Sequence, residues 1–246
     1  MTDSPDPALV ETLRTATSLL ALTGSGVSAA SGVPTFRDAQ TGLWAKYRPE
    51  DLATPEAFAS APERVWDWYR WRRKLVRAAQ PNGAHHALAA LGRGLPGLRL
   101  VTQNVDGLHQ RAGSPHVIEL HGNLQRDRCN ARCGTVDVDQ DAPGPPPCPT
   151  CGAPVRPDVV WFGEVLPEQA LTAAGDAAMR CEVFLSIGTS SLVYPAAGLA
   201  EVALRRGALL VEINPEQTPL SGLADHRLAL PADRALRALA ASLGCR

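Results

Sequence analysis

The stretch ALTGSGVSAASGVPTFRD, residues 21–38, carries the first indication of the fold. It includes the end of a short apolar run, SLLAL, and continues with Gly24 and Gly26 in a G-x-G pattern. A buried strand that runs into a glycine turn is typical of the first βα unit of a dinucleotide-binding sheet. Ala29 replaces the third glycine of that fingerprint, and no G-K-[ST] follows, so this is not an ATP-type phosphate loop. Taken alone, the turn fits a tight βα connection as well as a phosphate site.

Further apolar runs alternate with helical patterns along most of the chain. GLRLVTQ, EVFLSIG and GALLVEIN each have the length and composition of a buried strand. Helices are predicted over residues 7–17, around 84–91 with an Asn N-cap, over about 195–206 and over about 233–243. Strand–helix–strand units of this length predict an α/β fold, a Rossmann-type doubly wound parallel sheet.

Length and charge exclude several classes of protein. The 246 residues are 45% hydrophobic and 20% charged, which is ordinary for a globular domain with an ample core. A formal net charge of −1 gives no support to direct nucleic-acid or membrane-surface binding. The apolar runs are too short to span a bilayer, and the N-terminus has no pattern of a secretion signal. We therefore expect a cytoplasmic monomer with reduced cysteines.

One segment, residues 124–157, interrupts the alternation of strands and helices. It lacks long apolar runs and is rich in Pro, Asp and Cys, with DAPGPPPCPTCG near its centre. We predict a small inserted module at 124–157, inside a Rossmann-type NAD-binding domain formed by residues 1–123 and 158–246. That domain is expected to carry a helical insertion at about 45–80.

The module contains two close pairs of cysteines, Cys129, Cys133, Cys148 and Cys151. The pairs are spaced C-x3-C and C-x2-C, which suits a tetrahedral thiolate site with sulfur about 2.3 Å from a zinc ion. Two disulfides are the alternative, which a cytosolic protein rarely keeps. Four cysteines leave no open coordination position, so the predicted Zn²⁺ is structural. Cys181 and Cys245 are expected to be a core thiol and a tail thiol.

Small polar residues follow several predicted strands. Ser25 and Ser28 follow the first strand, the turn GTSS begins at Gly188, and Asn214 and Glu216 follow the strand GALLVEI. Backbone amides at such turns suit a pyrophosphate, and polar side chains at neighbouring strand ends often hold ribose hydroxyls. Together these strand ends predict a dinucleotide site, which the glycine turn alone does not.

The motifs TGSGVSAASGVPTFR, TQNVDGLH, LHGNL, the four cysteines, VVWFGE and GTSSLVYPA occur in this order. They resemble the sirtuins, the NAD-dependent protein deacylases, from about Leu22 to Ala232. The family fold, a Rossmann-type domain with a small inserted zinc module, agrees with the fold predicted from the residues. The chain departs from the family pattern in having Ser25 where Ala is usual, Ala30 where Glu is frequent, and three residues inside the first cysteine pair.

The resemblance implies a set of site residues. NAD, as co-substrate, would contact Gly24, Ser25, Gly26, Ser28, Thr35, Phe36, Arg37, Trp44, Gln103, Asn104, Val105, Asp106, Gly188, Thr189, Ser190, Asn214, Pro215, Glu216 and Ala232. Catalysis would involve His121, in LHGNL, with Asn104 and Asp106 beside the nicotinamide. An acyl-lysine protein substrate would contact Tyr69, Arg72, Val159, Val160, Trp161 and Phe162.

The chemistry that the resemblance implies consumes NAD. The acyl oxygen of a modified lysine displaces nicotinamide from the ribose, and His121 then acts as general base toward a ribose hydroxyl, which moves to the acyl carbon. The products would be free lysine, nicotinamide and O-acyl-ADP-ribose. Among the six histidines, His121 is selected by its LHGNL context, and His109 is a weaker rival.

The stretch WDWYRWRRK, residues 66–74, mixes tryptophans with cations. On a helix over 65–76, Arg73 falls mostly outside the apolar arc, as do Arg70 and Lys74, whereas Arg72 projects into it, three residues after Tyr69. A cation there is unfavourable unless it snorkels to water or meets an anion. A nucleic-acid face would place its cations together on the exposed side. The Tyr-x-x-Arg spacing resembles that of sirtuins that prefer succinyl- or malonyl-lysine, and it predicts a pocket for an anionic acyl group.

Two other functions fit the same residues. An ADP-ribosyltransferase would use the same NAD site and the His121 region but would pass ADP-ribose to a protein, so analysis of the products would separate it. A non-catalytic protein that binds NAD and zinc would bind without turnover, so its activity would be unchanged by His121→Ala. A dehydrogenase fits less well, because the chemistry above produces no NADH.

Overall fold

The computed structural model describes residues 5–33 and 47–245. Thr35, Phe36, Arg37 and Trp44, which belong to the predicted NAD site, lie outside the described residues. In chain order the elements are α1 (Pro7–Thr15), β1 (Leu19–Thr23), a 3₁₀ helix (Ser25–Ser31), a 3₁₀ helix (Pro49–Asp51), α2 (Pro55–Ser60), α3 (Pro62–Ala78), α4 (Gly83–Gly94), β2 (Leu98–Thr102), α5 (Leu108–Arg111), β3 (Val117–Glu119), β4 (Gly122–Cys129), β5 (Thr135–Val136), β6 (Val155–Val159), α6 (Glu168–Arg180), β7 (Val183–Ile187), α7 (Gly198–Arg205), β8 (Leu209–Ile213), β9 (His226–Leu228) and α8 (Ala232–Ser242).

A six-stranded sheet forms the centre of the fold. Its strand order is β3-β2-β1-β7-β8-β9, and every neighbouring pair is parallel. Apart from β4, β5 and β6, this is the 3-2-1-4-5-6 order of a Rossmann sheet, with the reversal of strand order between β1 and β7. The predicted doubly wound parallel sheet is confirmed.

Helices cover both faces of this sheet because its central strands are apolar on both sides. Leu19 and Ala21 of β1 belong to one buried cluster, which α1, α4 and α8 complete. Leu20 and Leu22 belong to a second cluster on the opposite face, against α6 and α7. Successive strand residues point to opposite faces, so an unbroken apolar run such as LLAL requires two covering layers.

A second, smaller sheet is formed by residues that lie in the chain between β3 and β7 of the main sheet. It has the order β5-β4-β6 and is antiparallel. It begins at Gly122 and ends at Val159, so it extends slightly beyond the predicted segment 124–157 at both ends. The four cysteines of the predicted zinc site belong to this part of the chain.

Helix α3 lies between two apolar clusters, which explains the composition of residues 66–74. Trp68 and Tyr69 pack with Trp161 in a cluster beside the main sheet. Trp66 packs instead with Cys129 and other residues of the smaller sheet. Because α3 has two buried faces, it can carry this many tryptophans. No described helix is both long and apolar enough to cross a membrane.

The prediction that Arg73 lies outside the buried arc of α3 is wrong. Arg73 is 1% exposed, and its guanidinium is 5.0 Å from the Trp66 ring and 2.5 Å from a carboxylate oxygen of Asp127 in β4. The smaller sheet covers the side of α3 that a single apolar arc leaves in solvent. Lys74 is exposed, as predicted.

Candidate active site

A cavity of about 430 Å³ lies at the carboxyl ends of the central strands. Most residues of the predicted site line it: Gly24, Ser25, Ser28, Gln103, Asn104, Val105, Asp106, His121, Thr189, Ser190, Tyr69, Arg72, Val159, Val160, Trp161 and Phe162. The cavity lies where the strand order reverses, between β1 and β7, which is the usual ligand position in such sheets. The structure therefore brings the predicted cofactor, catalytic and acyl-lysine residues together.

The remaining predicted residues that are described do not line this cavity. Gly26 and Gly188 pack against each other behind it. Pro215 and Glu216 are exposed in the loop after β8, and Ala232 is buried at the start of α8.

The glycine turn after β1 is shaped by close packing against the turn after β7. A Cβ atom on Gly24 would lie 2.8 Å from the Gly188 carbonyl oxygen, and one on Gly188 would lie 2.7 Å from the Val27 nitrogen. Gly188 also has φ +58°, which disfavours other residues. The Gly26 amide donates to the Gly188 carbonyl at 2.9 Å. The chain then continues as a 3₁₀ helix, not as the α-helix that a standard fingerprint would open.

Thr189 connects three strand ends. Its hydroxyl accepts a hydrogen bond from the Gln103 side chain, after β2, at 3.0 Å. Its carbonyl accepts one from the Asn214 side chain, after β8, at 3.0 Å. Asn214 therefore reaches the site through the Thr189 backbone, although it does not line the cavity formed by the described residues.

The Ser28 hydroxyl is the centre of a buried polar network. It donates to Asp106 at 2.7 Å and accepts from the Asn104 amide at 3.1 Å. His85 Nε2 lies 3.3 Å from the same oxygen. Burial raises the pKa of Asp106, and hydrogen bonds from the Leu108 amide and Ser28 oppose that shift. This network holds Asn104 and Asp106 at the cavity wall.

The tautomer of His85 follows from its neighbours. The Asn82 backbone amide donates to His85 Nδ1 at 3.2 Å, so Nδ1 is unprotonated and Nε2–H donates to Ser28. Burial lowers the pKa of His85 to about 4, which keeps the ring neutral. The prediction from sequence placed His85 in a helix and gave it no role. The Asn-x-x-His spacing at the start of α4 is a capping box with His in place of Glu, and it was the available signal.

His121 lies at the cavity wall with one nitrogen engaged. Its Nδ1 is 2.9 Å from the Gln103 carbonyl oxygen, which can only accept, so Nδ1 carries the proton. Nε2 is therefore the basic nitrogen. Burial lowers the pKa of His121, and the bond to Gln103 partly opposes this. The ring is consequently a neutral base at pH 7.

The backbone around His121 explains the glycine of LHGNL. Gly122 has φ +79°, and a Cβ atom there would collide with the Asp158 carbonyl of β6. The His121 carbonyl accepts from the Val160 amide at 2.9 Å. His121 is thus fixed directly beside the segment 159–162.

Tyr69 and Arg72 line the same cavity from α3. Tyr69 is 2% exposed, and its hydroxyl accepts a hydrogen bond from the Trp161 indole at 2.9 Å. The Arg72 guanidinium lies 5.0 Å from the Trp68 ring. Burial lowers the pKa of Arg72, with Tyr69 and Asp106 opposing the shift. Arg72 thus places a cation in a largely apolar wall.

His109, the rival catalytic histidine, does not line the cavity of the described residues. It is 1% exposed, its Nε2 lies 3.0 Å from the Thr23 hydroxyl, and burial lowers its pKa to about 3. It packs edge-on to His85, with 4.9 Å between ring centroids. This position suits a neutral core residue.

Several lining residues were not predicted from the sequence. They are Val33, Ala53, Val76, Leu124, Gly163, Glu164, Leu166, Val193, Tyr194 and Pro195. Five of these ten lie in the second halves of two recognised motifs, VVWFGE and GTSSLVYPA, so the ends of those motifs were the missed signal. Val193 and Tyr194 are exposed apolar residues at this wall.

The sulfur atoms of Cys129, Cys133, Cys148 and Cys151 all lie within 4.8 Å of one another. Four sulfurs at about 2.3 Å from a tetrahedral ion would be roughly 3.8 Å apart, so the set fits Zn²⁺. All four are free thiols, and the two disulfides of the alternative are not formed. A glycine with positive φ follows each cysteine pair and lets the chain turn tightly there, Gly134 at φ +116° and Gly152 at φ +75°. A closed set of four thiolates fits a structural ion.

Comparison with known proteins agrees with this geometry. A model of the Sir2 family matches residues 24–195. A Ralstonia nicotianae protein named NAD-dependent protein deacylase is 52% identical over 243 residues, which cover 98% of each chain. A solved Sir2 homolog–NAD complex has a TM-score of 0.92 and 46% identity over 98% of this chain and 95% of that chain. A Sir2–p53 peptide–NAD⁺ structure has a TM-score of 0.84 and 32% identity over 97% and 98%. The chain belongs to the Sir2 family, as the order of its motifs predicts.

Proposed function

We propose that this protein is an NAD-dependent protein-lysine deacylase that acts on anionic acyl groups such as succinyl and malonyl and retains some deacetylase activity. One observation supports the reaction above all. A single cavity contains the strand-end turns, the basic Nε2 of His121 and the segment 159–162. A dinucleotide and an acyl-lysine can therefore meet beside one neutral base.

The donor set fits NAD. Gly24 and Gly188 let two turns approach each other without side chains, so their backbones can face a pyrophosphate. Ser25, Gln103, Thr189 and Ser190 offer hydrogen bonds to phosphate and ribose. Asn104 and Asp106, held by Ser28, would border the nicotinamide. Bound NAD would supply a ribose carbon activated by the positive charge of its nicotinamide.

His121 would act as the general base. Its Nε2 would accept a proton from a ribose hydroxyl, while the Gln103 carbonyl keeps the proton on Nδ1 and fixes the ring. With one water consumed, the acyl group would leave the lysine as O-acyl-ADP-ribose, with release of nicotinamide and of the free lysine amine. The four cysteines would hold a structural Zn²⁺ outside this cavity, with no role in the acyl transfer.

The preference for anionic acyl groups rests on Tyr69 and Arg72. Both side chains line the cavity of the acyl-lysine segment, so an acyl carboxylate could pair with the guanidinium and accept from the phenol. An arginine keeps its charge even when burial lowers its pKa. An acetyl group ends in a methyl and would gain nothing from the pair.

Matched succinyl-lysine and acetyl-lysine peptides, incubated with and without NAD and followed by mass spectrometry, test this function. NAD-dependent desuccinylation should exceed deacetylation. Arg72→Met should lower kcat/KM for the succinyl peptide by about 30-fold, the effect of about 2 kcal/mol from a charged hydrogen bond, and change the acetyl value by less than about 3-fold. Lys74→Met, an exposed cation on the same helix, is the control and should change neither.

Each alternative has its own outcome in this assay. Equal losses on both peptides in Arg72→Met would make Arg72 structural. Deacetylation without desuccinylation would keep the deacylase and remove the anionic preference. Transfer of ADP-ribose to protein without deacylation would replace the proposal with an ADP-ribosyltransferase, and binding without turnover would indicate a non-catalytic protein.

A further inference from the structure

Trp161 and Tyr69 form a hydrogen bond inside the wall of the cavity. The indole nitrogen of Trp161 lies 2.9 Å from the Tyr69 hydroxyl oxygen, and each residue is 2% exposed. We propose that Trp161 is a specificity-determining positioning residue, which holds the Tyr69 hydroxyl so that its proton faces the carboxylate of an anionic acyl chain. The proposal rests on the anionic pocket described under the proposed function.

The direction of this hydrogen bond decides what Tyr69 can do. An indole N–H can only donate, so the Tyr69 oxygen must accept, and the phenolic proton remains for another acceptor. Among the described residues the hydroxyl has no acceptor for that proton. Burial raises the pKa of Tyr69 to about 12, so the hydroxyl stays protonated at pH 7. Tyr69 is thus an oriented donor in the cavity wall.

Trp161 is itself held on several sides. Its backbone amide donates to Glu164 at 2.9 Å, and the Arg156 guanidinium lies 3.2 Å from the centroid of its ring. Phe58 packs against the ring at 5.3 Å between centroids. The indole therefore has little freedom to turn its N–H away from Tyr69.

The guanidinium of Arg156 is fixed over the indole by its own hydrogen bonds. Its two terminal nitrogens donate to the two carboxylate oxygens of Glu164 at 2.7 and 2.8 Å, and one of them also donates to the Val159 carbonyl at 2.8 Å. A guanidinium fixed over the face of an indole attracts its electron density, which favours the ring N–H as a donor. The chain of contacts runs from Glu164 through Arg156 and Trp161 to the Tyr69 hydroxyl.

This arrangement has different consequences for the two kinds of acyl group. A carboxylate at the far end of the acyl chain can accept from the Tyr69 hydroxyl, whereas the methyl of an acetyl group cannot. Loss of the Trp161 N–H should therefore weaken binding of anionic acyl groups and leave acetyl binding nearly unchanged. A residue that merely supports the fold would affect both.

Trp161→Phe keeps an aromatic ring between Phe58 and Arg156 but removes the donor. Binding of succinyl-lysine and acetyl-lysine peptides, measured by calorimetry without NAD, separates recognition from turnover. We expect Kd for the succinyl peptide to rise about 5- to 10-fold, the effect of one neutral hydrogen bond, and Kd for the acetyl peptide to change less than about 2-fold. The KM values of the two peptides should follow the same pattern, so that the ratio of kcat/KM for the succinyl peptide to that for the acetyl peptide falls by a similar factor.

A double-mutant cycle with Tyr69→Phe shows whether Trp161 acts through Tyr69. Tyr69→Phe alone should weaken succinyl binding by a similar factor, and adding Trp161→Phe should then change it by less than about 2-fold. Independent effects that multiply would overturn the proposal, as would equal weakening of both peptides by Trp161→Phe. Thermal unfolding of each variant shows whether it is folded. If Trp161→Phe does not fold, Tyr69→Phe, which retains its ring, must still lose the preference for the succinyl peptide.

Measurements on the unaltered protein distinguish failure of this proposal from failure of the proposed function on which it rests. If the unaltered protein binds both peptides equally, the anionic pocket is wrong and this inference is wrong with it. If it prefers the succinyl peptide and Trp161→Phe preserves that preference, the pocket is retained and the role of Trp161 is refuted.

Discussion

Arg73 of α3 and Asp127 of β4 form an ion pair inside the protein, with 2.5 Å between guanidinium nitrogen and carboxylate oxygen and 1% exposure of each side chain. Arg73 also donates to the Leu124 carbonyl at 2.8 Å, and the Gln140 amide donates to Asp127. Burial raises the pKa of Asp127, and Arg73 opposes that shift. The pair attaches α3 to the smaller sheet.

Removal of one member of this pair should destabilise the protein strongly. Arg73→Met leaves the Asp127 carboxylate buried without its partner, and we expect the free energy of unfolding to fall by about 3–5 kcal/mol in urea denaturation. Arg77, on the same helix, forms a partly exposed ion pair with Asp141. Arg77→Met removes this pair and should lower the free energy of unfolding by less than about 1 kcal/mol. Equal effects of the two variants would contradict the role assigned to the buried pair.

The activity should depend on the protonation of His121. Its pKa is lowered by burial from 6.5, and the base must be neutral, so kcat/KM should rise as pH increases through that lowered pKa and then level off. The neutral form therefore persists to more acidic pH than for a free imidazole. A profile with an acetyl-lysine peptide, which has no acyl carboxylate to titrate, should place the midpoint below 6.5. A midpoint above that value would argue against this histidine as the base.

Metal content should follow the four clustered cysteines. Elemental analysis should find one zinc per chain, and Cys148→Ser should reduce this to near zero and lower the melting temperature, because structural zinc contributes to folding. Cys181→Ser changes a buried thiol outside the cluster and is the matched control, with zinc content retained. Full zinc in Cys148→Ser would show that the cluster is not the site.

The glycine at the turn after β7 should be essential for cofactor binding. Gly188→Ala introduces a Cβ atom 2.7 Å from the Val27 nitrogen at φ +58°, so the two turns must separate. We expect NAD affinity, measured by calorimetry, to fall at least about 10-fold. Gly175→Ala in α6 meets no atom within 4 Å and should leave affinity unchanged while stabilising the helix by about 0.5–1 kcal/mol. Unchanged affinity in Gly188→Ala would contradict the close-packed turn as part of the site.

The main sheet could be predicted from the sequence because its strands are apolar on both faces and end in recognisable turns. The predicted helices and strands are present, with bounds that differ by a few residues. Helix α6 was missed because its buried residues are two alanines, Ala174 and Ala178, which form no apolar stripe. Strand β9 was missed because it has only three residues, of which two are partly buried and Arg227 is exposed.

The site could be predicted where its residues lie in continuous motifs, and less well where contacts join distant segments. Tyr69 and Arg72 followed from spacing, but the partner of Tyr69 is Trp161, 92 positions further along the chain. Arg73 was placed mostly outside the apolar arc because a helix with one apolar arc was assumed, and the second covering surface comes from β4. No local pattern around residues 66–74 contains that information.

The smaller sheet begins immediately after His121 and ends immediately before the segment 160–162. Both junctions of the insertion therefore lie at the wall of the cavity, and the hydrogen bond from the Val160 amide to the His121 carbonyl joins them. A chimaera that exchanged this sheet for that of a relative would be spliced directly beside His121 and Val160, which line the cavity. The relative's metal site would be inherited with its sheet, whereas Tyr69, Arg72 and Trp161, which lie outside that sheet, would remain those of this chain.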